Sequence, residues 1–231
     1  MKQYGRFVAL GLIFALTLGN GKVIAQTQQF DRFADWCENQ AQLSEAARHT
    51  VEVLLEKVET LDCQIADERL ADLTELRLDV NRIADVGPLS GLTNLTELRL
   101  GGNQIVDVGP LSDLTNLTEL SLVTNQIADV SPLSSLTNLT DLSLGGNQIA
   151  DVSPLSSLDN LTWLRAEENQ ISDVSPLSSL TNLTRIELWG NQISDVSSLS
   201  SLTNLTGLTL HDNPITDRTC PVEPQRRCRF E

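Results

Sequence analysis

The chain has 231 residues, and its 31 Asp and Glu outnumber 16 Lys and Arg, giving a net charge of −15. That balance excludes nucleic acid and anionic membrane as partners, because phosphate recognition needs clustered Lys and Arg. A basic protein, a neutral glycan or a divalent cation stays compatible with it.

At the N-terminus, Lys2 and Arg6 precede an uncharged, mostly apolar run from Phe7 to Gly19. The run is shorter than the roughly 20 residues a membrane span needs, and it has the length of a secretion-signal core. Val23-Ile24-Ala25 offers the small residues a signal peptidase requires, so residues 1–25 read as a signal peptide cut after Ala25. An uncleaved N-terminal anchor is the alternative. Cleavage removes Lys2, Arg6 and Lys22, takes the charge three units lower, and leaves Lys57 as the lone lysine. The mature chain is expected outside the cytoplasm, in the periplasm or beyond, as a monomer with no membrane span and no cofactor.

Residues 26–69 read as a helical cap. Leu43, Ala47, Val51, Leu54, Val58 and Leu61 recur at spacings of three and four, one face of an amphipathic helix. Phe30, Phe33 and Cys37 mark a shorter helix before it. Cys63-Gln64-Ile65-Ala66-Asp67 then echoes a later motif, Asn-Gln-Ile-Ala-Asp, and reads as a degenerate half-repeat with Cys in the Asn place. Cys63 is thus either a free thiol in that place or bonded to Cys37. An even number of cysteines in an exported chain favours bonding. Cys37 is therefore paired with Cys63, and Cys220 with Cys228, though other connectivities also fit the sequence.

From Leu70 a 22-residue unit runs seven times without insertion, with copies starting at Leu70, Leu92, Leu114, Leu136, Leu158, Leu180 and Leu202. A fixed period of this length means a solenoid, with one supersecondary unit per copy stacked on its neighbours. In the copy from Leu92 the apolar positions are Leu92, Leu95, Leu98, Leu100, Ile105, Val108 and Leu111. Leu98 and Leu100 alternate with Glu97, Arg99 and Gly101, the period of a strand with one buried face. Asn103 follows and recurs as Asn81, Asn125, Asn147, Asn169, Asn191 and Asn213. An Asn side chain both donates and accepts, so these residues are expected to form a ladder that satisfies buried turns. Pro88, Pro110, Pro132, Pro154 and Pro176 suit the first turn of a short helical segment, with the preceding Gly or Ser as cap. Few residues separate each Pro from the next copy, so the segment is expected to be a 3-10 turn.

These residues, LxxLxxLxLxxNxI followed by D-V-x-P-L, resemble the leucine-rich repeat family in its 22-residue, bacterial internalin-like form. The resemblance covers Leu70 to Asp217. It implies an α/β solenoid: a right-handed coil with a concave parallel β-sheet that binds proteins, and short 3-10 turns on the convex side. Repeats thus occupy 70–219, and a disulfide-closed cap occupies 220–231, beginning where Arg218 replaces a core Val.

Function is sought where the copies differ. Outward strand positions in copies two to four are mostly small or polar, whereas later copies place Trp163, Arg165, Glu167, Arg185, Glu187, Trp189 and His211 on the concave side. Exposed Trp and Arg dominate binding hot spots. Trp163 and Arg185 share a column, within reach of a cation–π contact. The structural alternative is that the tryptophans only cover the sheet. The expected function is non-catalytic capture of a protein or peptide. Glycan binding through Trp163 and Trp189, or a spacer role, are the alternatives.

Two other columns read as structural. Asp85, Asp107, Asp129, Asp151, Asp173, Asp195 and Asp217 recur, and carboxylates so stacked could take Ca²⁺. A local bond from each Asp to its own turn is the expected role. Asn-Leu-Thr triplets at Asn94, Asn116, Asn138, Asn160, Asn182 and Asn204 match a glycosylation pattern but arise from the repeat itself. With two histidines, His49 and His211, no catalytic triad, metal cluster or phosphate loop is visible.

Overall fold

A computed structural model of the protein describes residues 30–224 and 227–231, so the expected signal segment lies outside it. Among the described residues no helix is long and apolar enough to cross a membrane.

Three helices open the described chain: α1 (Phe33–Glu38), α2 (Glu45–Lys57) and α3 (Cys63–Ala71). The Ser44 hydroxyl accepts from the Ala47 amide and caps α2, whose Ala47, Thr50, Val51, Leu54 and Leu55 are buried. Thr50 donates to the Asp85 carbonyl at 2.7 Å, and His49 Nε2 lies 2.7 Å from the Asn81 carbonyl oxygen. Both bonds fasten α2 to the first coil, which gives His49 a packing role. Leu61, expected on the apolar face of α2, is 88% exposed. The helix ends at Lys57, and Glu59 turns the chain with φ 53°.

The half-repeat expected at Cys63–Asp67 is instead the start of α3. Asp62 accepts from the Gln64 and Ile65 amides at 3.0 and 3.1 Å, nucleating a helix. A thiol is a weak donor and acceptor, so Cys63 cannot replace Asn in the ladder. It bonds Cys37 instead, joining α1 to α3. Asp67 accepts from the Ala34 amide and pairs with Arg32. Copy one therefore begins inside a helix, with Leu70 buried on its inner side.

The solenoid then forms β1 (Glu75–Arg77), β2 (Glu97–Arg99), β3 (Glu119–Ser121), β4 (Asp141–Ser143), β5 (Trp163–Arg165), β6 (Arg185–Glu187) and β7 (Gly207–Thr209). The strands pair in parallel and in sequence order, and Leu76, Leu98, Leu120, Leu142, Leu164, Ile186 and Leu208 stand in register. These side chains are buried, as are the Ile, Val and Leu of the return segments, so one core runs the length of the coil.

The Asn ladder joins coil to coil. Asn125 Oδ1 accepts from the Ile105 amide at 3.0 Å, while its Nδ2 donates to the carbonyls of Leu100 and Leu122, each at 3.0 Å. Asn103, Asn147, Asn169 and Asn191 repeat the pattern and are buried. Asn81 departs from it, because the coil before it is replaced by the helical cap; its Nδ2 donates to Asp79. The triplet residues also bridge coils: Asn116 donates to the Thr93 carbonyl at 2.8 Å and Thr118 to the Thr96 carbonyl at 3.1 Å.

Convex segments are 3-10 turns, such as Gly109–Leu111 and Ser153–Ser157. Their cap differs from expectation. Val precedes each turn and no cap side chain bonds; Asp one residue earlier does the work. Asp151 Oδ1 accepts from the Ser153 amide at 2.8 Å, and Asp129, Asp173 and Asp195 do the same for Ser131, Ser175 and Ser197. These bonds, backbone first and hydroxyl second, hold the four carboxyls below their ordinary range. A depressed folded-state pKa adds stability above the unfolded pKa and loses it as pH falls through the folded value. The Tm is therefore expected to fall below about pH 4, where unfolded Asp protonates. Asp→Asn at these four positions should flatten that fall; an undiminished fall would remove these turns as its cause.

Each end is closed. Around α1, a Cβ on Gly91 would lie 2.4 Å from the Asp31 carbonyl oxygen, and one on Gly87 would lie 2.7 Å from the Trp36 ring. Later copies carry Ser or Asp where Gly91 stands, so this glycine marks the docking line of the cap. At the other end Arg218 points outward and meets Glu231 at 3.0 Å. Cys220 and Val222 are buried beneath the last coil. Cys228 bonds Cys220 and lies in an eighth strand, β8 (Cys228–Arg229), parallel to β7. No free cysteine is found among the described residues.

Candidate functional site on the concave face

Alternation places every second strand residue on the concave side. Toward the N-terminus this surface neutralises itself. Arg77 reaches Glu97 at 3.1 Å, Arg99 reaches the same carboxylate at 2.7 Å, and Glu75 lies 3.9 Å from Arg77. Exposed pairs of this kind contribute about 0–1 kcal/mol each, so they organise the surface more than they stabilise it.

From β5 the chemistry changes. Trp163 stands beside Arg185 in the sheet register, and Arg165 beside Glu187. The Arg165 guanidinium lies over the Trp163 ring at 3.5 Å from its centroid, with the Arg185 guanidinium at 5.3 Å. The contact foreseen from the shared column is thus present, joined by a closer one from the same strand. Arg165 also donates to Ser143 Oγ at 3.1 Å and stands 4.0 Å from Glu187. These bonds fix the guanidinium over the indole. Trp163 Nε1 is buried with no hydrogen-bond partner.

One position further along the coil, Trp189 stacks on His211, with ring centroids 5.1 Å apart and planes 15° from parallel. His211 Nδ1 lies 2.8 Å from Asp212 Oδ2, which orients the imidazole. The two tryptophans therefore do not simply cover each other: each has its own polar companion.

Glu167 leans toward the preceding coil. A Cβ on Gly145 would meet Glu167 Oε1 at 2.3 Å, so the carboxylate fills space that glycine leaves on the preceding strand. Burial raises its pKa, and Oε2 has no partner. Six of the seven foreseen residues thus fall into two groups on the face from β5 to β7, Trp163 with Arg165, Arg185 and Glu187, and Trp189 with His211, while Glu167 borders the first.

Two further side chains join the site from the cap. A depression of about 360 Å³ is lined by Arg185, Glu187, Gly207, Thr209, Arg227 and Arg229 among others. Arg227 and Arg229 arrive there because β8 extends the sheet by a strand. The sequence signal was present: Arg227-Cys228-Arg229-Phe230 alternates like the repeat strands, with Cys228 inward. No group of His, Cys, Asp or Glu suited to a metal ion occurs among the described residues.

Comparison with known proteins agrees with this architecture. The family described as leucine-rich repeats (2 copies) matches residues 72–114, 93–134, 115–157, 159–201 and 181–217. An internalin (inlF) structure from Listeria monocytogenes is 34% identical with a TM-score of 0.60, covering 73% of this chain and 57% of its own. Internalin C2 of the same organism is 32% identical with a TM-score of 0.59, covering 77% and 88%. A leucine-rich repeat protein of Leptospira interrogans is 29% identical with a TM-score of 0.60, covering 72% and 44%. The chain thus spans little more than half of the inlF structure and under half of the Leptospira one. No functionally curated protein matches it. Repeat proteins of the internalin type are generally non-enzymatic protein-interaction modules. On its seven consecutive repeats, their register and these matches, the chain belongs to the leucine-rich repeat family in its bacterial internalin-like form.

Proposed function

We propose that this protein is an exported, non-catalytic binding module that captures a protein or peptide on the concave face of β5 to β7. Trp163, Arg165, Arg185, Glu187, Trp189 and His211 make the contacts, with Glu167 at their border. The observation that supports this reading is Trp163. A tryptophan lies on a sheet face, flanked by two guanidiniums. Trp and Arg together are the residue types that dominate binding hot spots, with losses of about 2 kcal/mol or more on truncation. The same geometry disfavours sugar stacking, because Arg165 already lies over the Trp163 ring and His211 over Trp189. Residues 1–25 would direct export, and the two disulfides suit an oxidising compartment, periplasmic or extracellular. The mature chain would act as a monomer without a cofactor.

The test is capture of a partner from the native cell envelope by immobilised protein. Trp163→Ala should weaken a captured complex by about 2 kcal/mol, roughly thirtyfold, with the circular dichroism spectrum unchanged. Undiminished capture would move the site off this face. Retention on a glycan array in place of protein capture would favour the sugar reading.

A further inference from the structure

The arginines of the concave face fall into two groups. Arg77, Arg99 and Arg165 each have a carboxylate within 4.0 Å. Arg185, Arg227 and Arg229 make no ion pair among the described residues, yet all three line one depression of about 360 Å³. The carboxylate that shares their depression, Glu187, stands opposite Arg165 at 4.0 Å. Arg227 gives one N–H to the Thr203 carbonyl at 3.3 Å, which anchors the side chain at the rim. The floor is open at Gly207, where a Cβ would meet nothing within 4 Å. The matching positions of earlier strands carry Glu, Asp, Trp or Arg. Thr206 and Thr209 add hydroxyls to the lining.

Guanidiniums without a carboxylate partner are unexpected here, because carboxylates outnumber basic residues in this chain, 31 to 16. Three of them around an open floor form a cationic end on an acidic protein. From this charge complementarity we propose that the depression seats an acidic segment of the captured peptide, its Asp or Glu carboxylates bridged by Arg185, Arg227 and Arg229. The assignment rests on the binding reading above and specifies the ligand's chemistry. Arginine suits the task, because its planar fork gives a carboxylate two parallel hydrogen bonds. The chain's overall negative charge does not prevent it. Charges beyond about 8 Å are largely screened at physiological ionic strength, whereas the guanidiniums act at contact. In the acidic column of the opposite half, Glu75 and Glu97 are offset by Arg77 and Arg99, whereas Glu119 and Asp141 have no such partner among the described residues and repel such a segment from that side.

Fluorescence anisotropy of a labelled oligo-glutamate peptide with the intact protein tests the assignment. Binding should appear at low salt, weaken steeply as salt rises, and be absent for oligo-glutamine. The double variant Arg185→Gln, Arg229→Gln should lose about tenfold or more in affinity. Arg77→Gln with Arg99→Gln, which removes equal charge elsewhere on the face, should change it less than about twofold. Equal loss in both variants would reduce the effect to net charge and overturn the proposal. Equal binding of a single-stranded oligonucleotide would overturn the peptide assignment. Absence of oligo-glutamate binding overturns it too, and leaves the concave-face reading standing wherever capture still depends on Trp163.

Discussion

Replacing Asn147 by alanine is expected to lower the unfolding free energy by about 3–5 kcal/mol. The side chain holds three backbone groups in the interior: it accepts from the Ile127 amide at 3.0 Å and donates to the Leu122 and Leu144 carbonyls at 3.0 and 2.9 Å. Alanine orphans the buried Ile127 amide, at about 1–3 kcal/mol, and takes one of two donors from each carbonyl, at about 1 kcal/mol apiece; Leu122 keeps Asn125 and Leu144 keeps Asn169. The surface asparagine of the same copy is the control. Asn138 donates once, to the Thr115 carbonyl at 2.8 Å, at an exposed position. Asn138→Ala should cost under about 1 kcal/mol, because water replaces the lost donor. Urea unfolding followed by circular dichroism separates the two. A break in the middle of a nearest-neighbour stack should also broaden the transition, since the coils on either side lose their coupling. Equal effects for Asn147 and Asn138 would mean that the ladder does not hold the coils together.

Removing the Cys37–Cys63 bond, by Ser at both positions, is expected to cost about 3.5 kcal/mol by loop entropy, against about 2.5 for Cys220–Cys228. The difference follows from the sequence separations, 26 residues and 8. Structure adds to the ordering. The longer bond ties α1 to α3, and α1 and α2 together press on the first coil through Trp36, Thr50 and His49. Releasing it frees α1 from α3, the helix from which the first coil continues. The shorter bond closes a loop whose β8 is also held by the sheet. Thermal unfolding of the two variants, each with the other bond intact, reads the order directly. A larger loss at the C-terminal bond would show that the solenoid is closed mainly from that end.

Repetition made the coil legible. Leu98 and Leu100 announce a strand only weakly in one copy, but seven copies in one register leave a single stacked solution. The strands, the inward leucines, the Asn ladder and the 3-10 turns all follow from that register. Legibility fails where the repeat ends. Cys63–Asp67 imitates the ladder motif, yet Asp62 caps it into α3, because a cap bond outweighs a resemblance that lacks the Asn amide. Leu61 continues the spacing of α2 in sequence, but the turn at Glu59 breaks the period before it. Periodicity alone does not register a terminator of that kind.

The candidate site divides in the same way. Trp163 and Arg185 stood out because they break a column otherwise filled with Glu, Asp and Gly, and Trp189 and His211 because they break a second column, filled with Asp, Gly, Val and Glu. Arg165 over Trp163 was hidden, since side-chain direction along one strand is not a matter of spacing. Arg227 and Arg229 carried only a four-residue alternation beyond the last repeat, and the Cys220–Cys228 bond and β8 return them to the face.

Hydrogen exchange of the protein with and without its captured partner tests the central claim most directly. Added protection is expected in Trp163–Arg165, Arg185–Glu187, Gly207–Thr209 and Cys228–Arg229, with the convex turns at Ser153–Ser157 and Ser175–Ser179 unchanged. Protection confined to those convex turns, or to the acidic half from Glu75 to Asp141, would contradict it.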